Sequence, residues 1–180
     1  MASAIDVANF FIDVAKDSDD PMTHLRVQKL LYFAQGWSLA CLGRPLFSDD
    51  TEAWQHGPVV PSVYHEFSSH GREQIRCTKD DYSGGVFTGE EIEFLTDIAM
   101  KYRFYSTGWL VSLCHAQGGA WETVQDSHIS KVIPTDLIRE EFASKGPLDR
   151  FDIKSALEKV GSIGYRDSEG YTVLPKELDE

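Results

Sequence analysis

Long apolar runs, secretory features, paired cysteines and basic charge are all scarce in this 180-residue chain. No stretch approaches the roughly eighteen consecutive apolar residues that a membrane-spanning helix needs, so no membrane role is expected. The start, Met1-Ala2-Ser3-Ala4-Ile5-Asp6, has neither the basic opening nor the apolar stretch of a secretory signal. The three cysteines, Cys41, Cys77 and Cys114, are odd in number and far apart. That usage speaks against a disulfide scaffold or a zinc ribbon and places the chain in a reducing cytoplasm. Lysine and arginine number 17 against 29 aspartates and glutamates, a net charge of -12. So acidic a surface repels phosphate backbones, and nucleic-acid binding by the isolated chain is not expected. The charge has two readings, plain solubility or attraction of a basic protein partner, and composition does not choose between them. Dinucleotide, phosphate-loop and nucleophile-elbow signatures are missing, as is any repeat with a period of about 20 to 50 residues.

What is present is a foldable, helix-rich pattern. Apolar residues make up 42% and charged residues 26%, enough to bury a core. Ser3 caps a stripe of Val7, Phe10, Phe11 and Val14, and the acidic stretch Asp17 to Pro21 breaks it. Thr23 opens a longer helix with Leu30, Phe33, Ala34, Trp37 and Cys41 on one side, ending before Gly43-Arg44-Pro45. Glu52 to His56 reads as a short extended piece, and Gly57-Pro58-Val59-Val60-Pro61 as an irregular turn. Pro61 then starts a stripe of Val60, Val63, Tyr64 and Phe67. Thr88-Gly89-Glu90-Glu91 is a capping box ahead of Ile92, Leu95, Ala99 and Tyr102. Further helices run from Ser106 to Gln117, through Leu137, Ile138 and Phe142 as far as Gly146-Pro147, and through Ile153, Ala156, Leu157 and Val160. The pattern predicts a mainly α fold with small β elements around residues 51–56, 75–79 and 171–174. One helical domain over 1–165 and an acidic tail over 166–180 are expected.

Chemistry is harder to find. His65 and His70 stand at i and i+5, whereas two zinc-binding histidines on a helix need i and i+4. At about 100° per residue the second ring points roughly 140° away from the first, which suits two surface histidines. His24, His56, His115 and His128 are scattered, and a metal-dependent hydrolase built on His65, His115 and nearby acids is only a distant alternative. His115 falls in the last turn of a helix, where an imidazolium would favour the negative end of the dipole. Cys41 and Cys114 read as buried residues without a base beside them. Neither catalytic residues, a metal nor a cofactor is expected. Lys29 has two readings: a snorkelling stem, or a partly buried charge paired with Glu52 or Glu66 that locks the turn at Gly57. Trp54, His56, Gly57, Pro58, Val59, Pro61 and Tyr64 crowd into eleven residues. They pack the extended piece, and a proline-stiffened aromatic turn also suits a protein interface. Trp54, His56, Pro58, Val59 and Tyr64 are therefore the candidate contact residues.

Three strings carry a resemblance. They are LRVQKLLYFAQGW from Leu25 to Trp37, GRPLF from Gly43 to Phe47, and EAWQHGPVVPSVY from Glu52 to Tyr64. In order and spacing they resemble the Panacea domain, the family of SocA-like antitoxins and of proteins labelled phage-associated. The likeness is densest from Leu25 to Phe67 and continues more weakly to His115 and Trp121. It implies a mainly helical, non-enzymatic, cytoplasmic antitoxin whose partner is a cognate toxin encoded by an adjacent gene. Neutralisation by direct protein contact is the first reading. The alternative is an adaptor that delivers the toxin to a cytoplasmic ATP-dependent protease, with Lys176 to Glu180 as a tether. The family-like region begins almost at the N-terminus, so no DNA-binding domain is expected ahead of it.

Overall fold

The computed structural model describes residues 1–16, 22–76, 84–127 and 131–148, together with strand residues 165–166 and 172–173. The chain divides into two units, Met1–Asp149 and Arg150–Glu180. The described part of the second is a pair of antiparallel strands, β3 (Tyr165–Arg166) and β4 (Thr172–Val173), with Tyr165 opposite Val173. The helix expected through Ile153 to Val160 lies outside the described residues, as do His128, Cys77 and Asp17 to Pro21.

In the first unit seven α-helices are described: α1 (Ala4–Ala15), α2 (His24–Trp37), α3 (Pro61–Phe67), α4 (Gly89–Tyr102), α5 (Thr107–Cys114), α6 (Ala120–Ser127) and α7 (Thr135–Ser144). Their starts follow local chemistry. Ser3 and Asp6 form a capping box on α1, and Thr88 and Glu91 form one on α4. Thr23 and Ser106 accept N-terminal amides of α2 and α5. Pro61 takes the first position of α3, where its missing N–H costs nothing. Gly146, at φ 81°, follows α7 in the left-handed conformation that glycine adopts most cheaply.

Helix α2 is the hub. Every residue from Arg26 to Trp37 is buried, packed by α1, α3, α4, α5, α7 and a small hairpin. A helix enclosed on all sides usually carries apolar residues all round. This one carries Arg26, Gln28, Lys29 and Gln35 as well, and each is matched to main-chain groups of another segment. Arg26 donates to the carbonyls of Tyr102 (3.1 Å), Arg103 (3.4 Å) and Tyr105 (2.6 Å), completing the C-terminus of α4. Gln28 pairs with both main-chain groups of Val60 (2.8 and 3.3 Å), and Gln35 with those of Leu46 and Phe47. Buried polar groups bonded in this way tie loops to the core instead of destabilising it.

Aromatic packing fills the other faces. Phe33 stacks on Tyr102 at 4.4 Å, and the Phe142 ring of α7 meets Tyr32, Phe33 and Trp37 edge-on. Gly36 makes that approach possible, because a Cβ there would overlap the Phe142 ring. Beyond Trp37 the helix widens into a π turn, Ser38–Leu42, which ends at Gly43 with φ 67°.

The hairpin pairs β1 (Glu52–Trp54) with β2 (Gly57–Val59) across Gln55 and His56. On its other side β1 meets the 131–133 segment, through Ala53 N–H to Lys131 (2.6 Å) and Ile133 N–H to Thr51 (2.8 Å). That leaves β2 on the edge of its two-stranded sheet, where Pro58 is tolerated.

Several expectations need correction. Gly57 to Val59 is a strand, not irregular turn, because α2 supplies partners to this edge. Cys41 is exposed: the π turn takes more residues per revolution and slides it off the buried face. Val14 and Ile92 are also exposed, and α4 instead buries Phe94, Leu95, Ile98 and Tyr102. Helix α6 has too short an apolar stripe to stand out in the sequence, since it buries only Ala120 and Val124. Residues 51–56 contain β1 and 171–174 contain β4. Near 75–79 the described residues show only a lone bridge from Gln74 to Thr23 and an Ile75 N–H bond to Met22. The residues from 77 to 79 lie outside the description.

Candidate partner-binding face

The hairpin turn is held from below by Lys29. Its side chain is 0% exposed, and Nζ donates to the Pro58 carbonyl at 3.0 Å. It neither snorkels nor takes Glu52 as acceptor, since Glu52 accepts from Trp54 Nε1 at 2.7 Å. Its ammonium lies directly against the turn at Gly57. A Cβ on Gly57 would lie 2.6 Å from Lys29 Nζ and 3.2 Å from His115 Nε2, and its φ of 101° is itself one that side chains avoid. Burial pulls the Lys29 ammonium down to about 8, and neighbouring Cys114 opposes this weakly.

Above Lys29 lies a ladder of rings. Trp121 stacks on His115 at 4.0 Å and donates Nε1–H to the Trp54 carbonyl at 2.8 Å. Trp54 lies 4.8 Å from Tyr64, which meets His24 edge-on at 4.9 Å. The His115 and His24 ring nitrogens that are buried, Nε2 and both respectively, have no hydrogen-bond partner. Burial lowers both pKa values, helped by Lys29 and His56 at His115 and by His70 at His24. His115 is the C-cap of α5, yet its surroundings favour the neutral ring, not the imidazolium that the dipole argument anticipates.

Of the candidate contact residues, His56 is exposed, Trp54 and Tyr64 are half-buried, and Pro58 and Val59 are buried. Pro58 and Val59 thus shape the hairpin from inside and offer no surface in this conformation. His65 and His70 are exposed on and just beyond α3. Among the described residues no group of three or more His, Cys, Asp or Glu side chains is placed to hold a metal ion, and no helix is long and apolar enough to cross a membrane. Cys114 is buried and its thiol is pushed up to about 12, mainly by desolvation, which keeps it protonated.

One group escaped the sequence reading. Phe104, Tyr105 and Trp109, where α4 turns into α5, are 85%, 39% and 56% exposed. The signal was three aromatics within six residues around the Ser106 cap. It resembles a helix stripe until the tertiary fold shows that only Leu110 and Cys114 of α5 are buried.

Residues 27–122 match the family described as "Antitoxin SocA-like, Panacea domain", more than half of the chain and a segment containing α2 from Val27 onward, the hairpin and every ring of the ladder except His24. The chain belongs to this SocA-like Panacea family. It is 38% identical over 127 residues to Antitoxin SocA of Caulobacter vibrioides (strain NA1000 / CB15N), covering 66% of this chain and 68% of that protein. No solved structure matches. The strings that suggested the Panacea family thus lie almost wholly in the matched segment. Structurally they build the family-matched region from inside: Gln28, Lys29 and Gln35 of the first string hold the backbone of the second and third.

Proposed function

We propose that this chain is an antitoxin that neutralises a cognate toxin, the product of a neighbouring gene, by direct protein contact in the cytoplasm. The observation that carries the reading is the match of residues 27–122 to the SocA-like antitoxin family. Two features support it. The hairpin tip is stiffened by Pro58, by the Lys29 bond beneath it and by the stacked rings beside it. Such a surface gives up little conformational entropy when it docks. The net charge of -12 also steers a basic protein towards the chain and speeds encounter. Trp54, His56 and Tyr64 are candidate contact residues of this face that reach solvent, and aromatic side chains on a rigid base are typical interface anchors.

A rescue and co-purification experiment tests the reading. The neighbouring gene product is induced in a bacterial host with and without this chain, and then purified on its own tag. Growth arrest that this chain relieves, with the two proteins eluting together at constant toxin level, is the expected result. Relief accompanied by protease-dependent loss of the toxin would replace direct neutralisation with delivery to a protease. A harmless neighbour, or a toxic one that the chain neither binds nor relieves, would overturn the proposal.

A further inference from the structure

We infer that the exposed aromatic edge formed by Phe104, Tyr105 and Trp109 is a second contact surface for the cognate toxin and carries much of the affinity; this rests on the antitoxin reading above. The edge is both solvent-facing and rigid. Phe104 and Trp109 are 85% and 56% exposed, whereas Arg26, beneath them, is 2% exposed. Arg26 Nη1 and Nη2 donate to the carbonyls of Tyr102, Arg103 and Tyr105. Tyr105 N–H bonds back to Tyr102 at 3.1 Å, and Ser106 Oγ accepts from Trp109 N–H at 3.2 Å. The Arg103 guanidinium covers one side of the Phe104 ring at 4.6 Å. A loop pinned by a buried arginine while it holds Trp and Phe in water is built like an interface anchor, since rings left exposed by folding keep their apolar area for burial against a partner.

The first turn of α2 touches both the hairpin face and the turn that carries the edge. There His24 packs against Tyr64, Leu25 is 38% exposed, and Arg26 grips the 102–105 turn. The overall charge of the chain favours one kind of partner. Two copies of a chain with net charge -12 repel each other, and anionic lipid and nucleic acid are repelled likewise, so a protein of net positive charge with an apolar patch is the occupant that fits.

The experiment measures toxin affinity for the full chain, for Phe104→Ala/Trp109→Ala, and for Gly108→Arg. A side chain at Gly108 meets open space, so that variant folds even if the aromatic pair proves necessary for expression. Its added positive charge and bulk sit beside the edge. Each variant is expected to weaken Kd at least tenfold, on the order of one lost anchor residue, with unchanged circular dichroism. Wild-type affinity is expected to fall as salt is raised. A Kd within about threefold of wild type for both variants would overturn the edge proposal while leaving the antitoxin reading intact. Sedimentation of the wild type as a dimer that Trp109→Ala dissociates, at unchanged toxin affinity, would reassign the edge to self-association and also overturn it. Failure of the wild-type chain to bind or relieve the toxin would remove the antitoxin reading and this inference with it.

Discussion

Lys29 makes a sharp test of the buried hub. Its ammonium is brought from 10.5 to about 8 by burial. At neutral pH the folded state therefore carries a desolvated charge that costs roughly 3 kcal/mol relative to the unfolded chain. The sign follows directly. Between about pH 7 and pH 9 the folded chain releases this proton while the unfolded chain keeps it, so stability rises with pH, by about 1.3 kcal/mol over that interval. Cys114 works in the other direction. Its thiol goes from 9.0 up to about 12 on folding, so ionisation of the unfolded thiol subtracts about 0.4 kcal/mol by pH 9. Lys29→Met removes the first effect and leaves the second. At pH 7 the relieved charge offsets the Pro58 carbonyl left without its donor, about 1–3 kcal/mol, so the variant is expected to be close to wild type in stability. Urea unfolding followed by tryptophan fluorescence at pH 7, 8 and 9 should show the wild type gaining on the variant by about 1.3 kcal/mol across the series. Parallel profiles would refute the idea that a buried, titrating lysine sits under the hairpin.

Three further substitutions probe the same architecture. Gly57→Ala should destabilise by about 2–4 kcal/mol in urea unfolding, since it forces a side chain into a left-handed φ of 101° and against Lys29 Nζ. Phe142→Ala should cost about 3–5 kcal/mol in the same assay, because the ring is fully buried against Gly36 and three other aromatics. Glu141→Ala should cost about 2–5 kcal/mol, by stranding the Tyr32 hydroxyl (2.6 Å) and the Ala120 N–H (2.9 Å) that its carboxylate accepts. Losses below about 1 kcal/mol in thermal or urea unfolding would contradict these placements.

Much of the fold is legible in the chain because the signals are local. The Thr88–Glu91 box, the Ser3, Thr23 and Ser106 caps, Pro61 at a helix start and Gly146 after a helix all act over three or four residues, and each marks an end that the structure contains. The family strings are equally legible, since order and spacing are properties of sequence. Burial is different, because it depends on segments far away. Lys29 and Arg26 look like surface residues until α1, α3, α4, α5, α7 and the hairpin close around α2. His115 looks like a dipole-stabilised imidazolium until burial, with Lys29 and His56 brought beside it, disfavours the charge. Phe104, Tyr105 and Trp109 look like one more apolar stripe until Arg26, 76 to 79 positions before the Tyr102 and Tyr105 carbonyls it binds, fixes their turn with the rings facing water. By itself the sequence determined where the capped helices begin, the family and the acidic charge, all written in short-range hydrogen bonding and composition. Tertiary structure decided which charges are enclosed and which aromatics are left outside, because only the packing of distant segments sets the solvent each side chain meets.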